Sequence, residues 1–299
     1  MSQESEQRLS NEVLEAYGKT ADPRQREVFA SLIKHLHAFA REVRLSEAEW
    51  FAGIDFLTRT GQKCTDKRQE FILLSDLLGL STMMVLMNAN TSAGATESTV
   101  LGPFFADKAP EYKNGDSLVQ MKSDYPRLVV KGHVKDQNGR PIVNALVDVW
   151  QADPIGVYHM QDPSVPEYNL CGKLRSDAQG YYEFKTLRPK FYPVPTDGPA
   201  GELTRAAGRH PFRPGHVHAM VSAPGFATLI THIFDSEDPY LKSDAVFAVV
   251  DSLVRQFERH DSADEAAKWG VSAPFFMIEQ DFILQPPNER KIANFGISH

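Results

Sequence analysis

The stretch RLVVKGHVKDQNGRPIVNALVDVWQAD, residues 127–153, decides the fold class. Its two apolar runs, 128–134 and 145–150, follow the two-residue period of β-strands, and Asp136, Gln137, Asn138 and Gly139 between them are turn formers. The stretch is therefore read as a β-hairpin. Further turn signals at 177–180 and 223–225 separate short runs at 181–187, 216–222 and 228–234, and many short strands at this spacing predict a sandwich. Residues 189–199 are dense in proline and read as a constrained loop. Residues 244–257 stay unassigned, because Val246, Val249, Val250, Leu253 and Phe257 are also spaced like one helix face.

Upstream of this region the period is helical. Val28, Leu32, Ile33, Leu36, Phe39, Ala40 and Val43 share one face of a helix that starts at Asp22 and Pro23, an N-cap and first-turn pair. Ser46 and Glu49 match a capping box for a second helix ending near Gly61. A third, longer helix is expected from about Asp66 through Phe71, Leu74, Leu78 and Met83, followed by the loop-like NANTSAGATEST, residues 88–99. The expected fold is α+β: a helical domain over 1–98, then an all-β sandwich domain over 99–299.

Composition narrows the function. A chain of 299 residues, 42% hydrophobic and 24% charged, carries enough apolar material for a sizeable core. A net charge of -7 without a Lys/Arg-rich block leaves no electrostatic footprint for nucleic acid or an anionic membrane. The polar start, and the lack of any membrane-length apolar run, predict a cytoplasmic protein without a membrane span. Two distant cysteines, Cys64 and Cys171, build neither a disulfide framework nor a cysteine-rich zinc site. A small-molecule partner is expected.

His216 and His218 stand two apart in a strand pattern, so both side chains emerge on one face and can reach one atom. An isolated pair of this kind reads equally well as two half-buried, hydrogen-bonded histidines. Arg213, Pro214 and Gly215 frame the entry to the strand and favour the metal reading. Asp235, Glu237 and Asp238 resemble turn residues, whereas Tyr158, after Asp153, Pro154, Ile155 and Gly156, and Tyr192, between Pro189 and Pro193, are presented on constrained backbone. A phenol, with its ordinary pKa of about 10, coordinates as phenolate beside a strongly acidic cation, which favours Fe(III). Each tyrosine alone is also read as a packed aromatic.

Tyr158, Tyr192, Arg213, His216 and His218, in this order and approximate spacing, resemble the intradiol ring-cleaving dioxygenases. The resemblance spans roughly residues 27–285 and includes LGPFFADKAP at 101–110, GRPIVNALVDVWQAD at 139–153, the proline loop and RPGHVH at 213–218. It implies Fe(III) held by Tyr158, Tyr192, His216 and His218 on a β-sandwich, with Tyr192 and Arg213 catalytic. It also implies homodimerisation through the N-terminal helices, with a phospholipid between them. The substrates implied are an aromatic diol or triol and O₂, with Tyr192 displaced by the bound diol and accepting a proton, and Arg213 stabilising charge on the substrate.

Leu101 to Phe105 and Thr231 to Phe234 are most similar to the hydroxyquinol (benzene-1,2,4-triol) 1,2-dioxygenases, whose product would be 3-hydroxy-cis,cis-muconate, the enol form of maleylacetate. Many catechol enzymes carry glutamine where this chain has His232, so no role is carried over to that residue. The resemblance lines the substrate pocket with Leu73, Asp76, Val100, Gly102, Pro103, Phe104, Val194, Pro195, Arg213 and Val246. Asp76, the carboxylate of that set, is positioned by this reading to accept a hydrogen bond from the third ring hydroxyl. The rival readings are a catechol or chlorocatechol 1,2-dioxygenase, a metal-free β-sandwich binding module, and a ferrous or zinc enzyme using both histidines and a carboxylate.

Overall fold

The structure is a computed structural model that describes residues 3–65, 68–88 and 94–287. The chain forms two compact units that divide at Thr58. The first contains α1 (Gln3–Tyr17), α2 (Pro23–Glu42) and most of α3 (Glu47–Lys63). Asp22 caps α2 by accepting from the Gln25 N–H at 2.8 Å, and Pro23 costs nothing where a first-turn N–H would lack a partner. Ser46 and Glu49 close the capping box at the start of α3, with Glu49 Oε2 2.8 Å from the Ser46 N–H. Helix α1, which begins in the stretch read only as polar, meets α2 where Arg41 Nη1 donates to Ser10 Oγ at 2.8 Å and Tyr17 packs edge-on against Phe29. The predicted apolar face of α2 stays open: Leu32, Leu36, Phe39 and Val43 are each more than half exposed.

The second unit holds the end of α3 and then α4 (Glu70–Leu77) and α5 (Leu80–Asn88). One longer helix was expected from about Asp66 through Met83; Asp66 lies outside the described residues, and the remainder is broken. Gly79 takes φ +72, a left-handed conformation that ends α4, and the two helices meet at 77°. Among the described residues no single helix is long and apolar enough to cross a membrane, although this bent pair matches a span by length and composition. Its first half instead buries Glu70 and Asp76 together with Leu73, Leu74 and Leu77.

The remaining elements, in chain order, are β1 (Arg127–Asp136), β2 (Leu146–Trp150), β3 (Cys171–Arg175), β4 (Tyr181–Leu187), β5 (Tyr192–Pro193), α6 (Pro199–Ala206), β6 (Phe212–Arg213), β7 (His216–Ser222), β8 (Leu229–Asp235), β9 (Val254–Arg255), β10 (Glu258–His260), α7 (Ala263–Trp269), β11 (Phe275–Glu279) and β12 (Phe282–Leu284). One sheet runs β10-β11-β1-β12 with β4 on the opposite edge of β1; the other runs β3-β2-β7-β8-β9; β5 and β6 pair separately. Leu128, Val130, Val134, Phe184 and Ile278 from the first sheet share one apolar core with Val147, Val149, Leu174, Val217, Ala219 and Ile233 from the second. The α+β class, with a helical region followed by a sandwich, is as expected.

The expected hairpin is not formed, because β1 and β2 lie in different sheets. The turn itself is present, with Asp136 Oδ1 accepting from the Asn138 and Arg140 N–H groups. The returning chain pairs only briefly, with Pro141 opposite Lys135 and the Ile142 N–H donating to the Val134 carbonyl at 2.8 Å, before Asn144 adopts φ +58 and bonds to the Ser176 carbonyl at 2.9 Å, turning the chain toward the other sheet. Residues 244–257 form no α-helix: Asp244 accepts from Val246 and Ala248 N–H groups, Phe247 takes φ +58, and a 3₁₀ turn at Asp251–Leu253 leads into β9.

Gly132 is required by the first sheet. It pairs with Tyr182 on one side, and on the other the chain passes from β11 to β12 so closely that a Cβ at Gly132 would sit 1.9 Å from the Gln280 carbonyl oxygen. Gly132→Ala is expected to destabilise the protein by about 2–3 kcal/mol, read from the urea midpoint. By contrast Gly53→Ala, which meets nothing within 4 Å on α3, should be neutral or stabilising by up to about 1 kcal/mol.

Candidate metal centre

Strand β7 alternates sharply: Val217, Ala219 and Val221 enter the sandwich core, leaving His216 and His218 on the outer face of their sheet. Across the neighbouring strands, Trp150 stands opposite His218 on one side and His232 opposite it on the other. The Trp150 and His218 rings stack at 4.7 Å and 13°. Loops close over this row, and Trp150, Tyr158, Tyr192, Ala109, Ala152 and Cys171 form a second apolar cluster there. His216, His218, Tyr158 and Tyr192 are each at most 5% exposed.

The tyrosines arrive on constrained backbone, as expected. Asp153 Oδ1 accepts from the Ile155 and Val157 N–H groups, and the Tyr158 N–H donates to Gln161 Oε1 at 2.8 Å. Gly156, at φ +89, lies so near Tyr192 that a Cβ there would come within 2.5 Å of the tyrosine Cβ. Tyr192 is paired with Arg213 in the β5–β6 register. The loop bearing Tyr158 and the strands β5, β6 and β7 thereby deliver their functional groups to one point.

Tyr158 Oη lies 3.0 Å from Tyr192 Oη and 3.1 Å from His218 Nε2, and the two histidine Nε2 atoms are 3.0 Å apart. His216 Nδ1 is 2.7 Å from the Pro214 carbonyl, which can only accept. The Nδ1 therefore carries the proton, and Nε2 presents a lone pair to the cluster. Burial holds the His216, His218 and His232 imidazoles well below their usual range, with Arg213 adding to each shift. Burial likewise drives Tyr158 well above the ordinary phenol range and raises Tyr192, which Arg213 and Tyr158 partly oppose. Two neutral imidazoles and two phenols that need a cation to ionise are a donor set that fits a metal ion.

The nearby carboxylates are engaged elsewhere. Asp235 and Glu237 bind Arg188 at 2.7 and 2.6 Å, and Asp238 accepts from the Gly215 N–H. Arg213 is buried; burial alone would lower its pKa, but Asp244 and Tyr192 outweigh that and raise it. Its Nε lies 3.2 Å from Asp244 Oδ1, and its Nη1 3.3 Å from His216 Nε2.

The expected pocket residues fall at different depths. Phe104 stacks on Tyr158 at 4.4 Å, and a Cβ on Gly102 would sit 3.4 Å from His218 Cε1. Asp76 is 4% exposed; burial raises its carboxyl, opposed by the Ser81 hydroxyl and by Arg213. Val246 is buried and donates its N–H to Asp244, so it joins the Arg213 pair. Leu73, Val100 and Val194 are buried, and Pro103 and Pro195 are half-buried. Sequence reasoning passed over Asp244 and Trp150. An isolated acid in the apolar DAVFAVV run, and a tryptophan two residues past Asp148 on the histidines' side of the sheet, were the available signals.

Known proteins place this arrangement. Residues 100–286 match the dioxygenase family model and residues 22–96 the catechol dioxygenase N-terminal model. The chain is 44% identical to a 6-chlorohydroxyquinol 1,2-dioxygenase of Cupriavidus pinatubonensis, covering 96% of this chain and 99% of the relative. A catechol 1,2-dioxygenase of Candida albicans is 42% identical, with 87% and 86% covered. The solved hydroxyquinol 1,2-dioxygenase of Pseudomonas putida DLL-E4 superposes with a TM-score of 0.88 at 44% identity, covering 96% of this chain and 100% of that one. The paired family matches and the near full-length relatives place this chain in the intradiol ring-cleavage dioxygenase family of enzymes.

Proposed function

We propose that this enzyme is a hydroxyquinol 1,2-dioxygenase that holds Fe(III) through Tyr158, Tyr192, His216 and His218. The observation that carries the reading is the convergence of two phenol oxygens and two imidazole nitrogens, with neighbouring donors 3.0–3.1 Å apart in a buried site. A hard trivalent ion suits such a set, since it ionises phenols that burial would otherwise keep protonated. Fe(III), when bound, withdraws electron density from a chelated diol and opens the ring carbon beside its oxygens to O₂.

The chain's own groups handle protons and charge. Tyr192 Oη, beside Arg213, is the site that takes up a proton as the diol ionises. Arg213, fixed by Asp244, offsets negative charge growing on the substrate in a site from which packing excludes water. The C1–C2 bond breaks, both atoms of O₂ enter the product, and hydroxyquinol yields 3-hydroxy-cis,cis-muconate with no external reductant. Asp76, buried beside the Arg213–Asp244 pair, is the group we assign to the third ring hydroxyl, within a pocket that includes Leu73, Val100, Gly102, Pro103, Phe104, Val194, Pro195 and Val246.

The same reading assigns residues 99–299 to catalysis and residues 1–98 to homodimerisation. Support comes from the open stripe of Leu32, Leu36, Phe39 and Val43 on α2 and from exposed Trp50, Phe51, Ile54 and Leu57 on α3, surfaces suited to a second chain and a phospholipid. Unpaired Cys64 and Cys171 suit the cytoplasm.

The purified protein should contain one iron per chain and show a strong visible tyrosinate band that chelation removes; a colourless, iron-loaded protein overturns the ligand set. Tyr192→Phe is expected to lower kcat by about a hundredfold, as removal of an acid–base group does, while folding is retained; full activity would exclude the proton role. Asp76→Ala should lower the hydroxyquinol-to-catechol ratio of kcat/KM by about tenfold, the scale of one lost hydrogen bond to a charged group. An unchanged ratio would remove Asp76 from substrate selection.

A further inference from the structure

Three imidazoles occupy the outer face of the second sheet, and two of them account for the nitrogen donors of the cluster. The third, His232, has no solvent exposure, and its ring centroid lies 4.2 Å from that of His218 and 4.6 Å from that of His216. It is firmly held. Its ring stacks on Phe234 at 5.2 Å and 18°, and its Nδ1 is hydrogen-bonded to the Thr99 hydroxyl. Thr99 is pinned in turn by its N–H, which donates to the Ile230 carbonyl at 2.8 Å.

Nε2 of His232, though buried, meets no hydrogen-bonding atom among the described residues. Leaving such a group unpaired costs about as much as a lost hydrogen bond, so a fixed orphan beside a binding site marks the place of a ligand atom. Its partner on the other nitrogen decides what it offers. At His216 a carbonyl forces the proton onto Nδ1 and frees Nε2 to bind metal. At His232 the partner is a hydroxyl, which has no other acceptor for its proton among the described residues. The hydroxyl therefore donates to Nδ1, and the proton of the imidazole resides on Nε2.

We propose that His232 is a substrate-binding residue outside the metal's ligand set, whose Nε2–H donates to an oxygen of the bound diol. The inference rests on the ferric dioxygenase reading and deepens it. A diol oxygen bearing negative charge is the acceptor such a donor favours, since hydrogen bonds to charged groups are the stronger ones. Thr99 acts through His232, by fixing its tautomer.

The test is anaerobic titration of the iron-loaded enzyme with hydroxyquinol, followed through the visible band, in His232→Gln, His232→Leu and Thr99→Val. All three should keep one iron per chain and the band of the diol-free enzyme. His232→Leu should weaken hydroxyquinol binding by about tenfold, Thr99→Val should weaken it by a smaller factor, and His232→Gln, which keeps an N–H donor, should stay within about threefold. Loss of iron in folded His232→Leu would make His232 a metal ligand and overturn the proposal; so would unchanged affinity. Should His232→Leu fail to fold, unchanged affinity in Thr99→Val overturns it equally. A native enzyme without iron would instead sink the ferric reading itself.

Discussion

Strand β7 is buried on both faces, and most of the molecule follows from satisfying that constraint. Its inward valines and alanine need a facing sheet, which β1, β4 and β11 provide. Its outward histidines bring polar nitrogens into an equally dry layer, where leaving one unbonded is costly. A surface strand would have asked for neither. The loops from 151–170 and 189–215 are thus a second covering layer, built of aromatic rings where the first is built of aliphatic chains. Trp150 belongs to the same solution, since its ring covers one face of His218 and keeps the imidazole from turning.

The charged pair beside the cluster obeys the same economy. Arg213 is sequestered with Asp244, and that carboxylate also holds the backbone N–H groups of Val246 and Ala248. One buried acid therefore both neutralises the guanidinium and shapes a stretch of pocket wall. Removing either partner would strand a charge in a medium that screens it poorly. Asp76 adds a second carboxyl to this neighbourhood, raised by burial and only partly relieved by Ser81 and Arg213.

The sandwich was legible because a two-residue period is a local signal, and β4, β7 and β8 appear almost where the pattern puts them. Caps were legible for the same reason: Asp22, Ser46 and Glu49 act within three residues of themselves. Strand partnership is not local. The run through residues 127–150 carries a good turn, yet nothing short-range says that the pairing stops after Ile142 and that Asn144 sends β2 to the other sheet. The apolar spacing at 244–257 left that stretch unassigned, and Asp244 decides it by capturing backbone donors that a helix would have used. At the site, the tyrosines and the histidine pair were visible as residue types on constrained backbone. His232 became interpretable only once the β7–β8 register set it opposite His218.

The four donors come from positions far apart in the chain, with Tyr158 lying 34 residues from Tyr192 and 60 from His218. No short segment can preassemble them, so the cavity exists only after both sheets and both loops are in place. An ion that binds this cavity and not the unfolded chain shifts the folding equilibrium toward the native state by its full binding free energy. In the ferric reading proposed above, the metal would then be a lock as well as a reagent, tying the segments that bear Tyr158 and Tyr192 to β7.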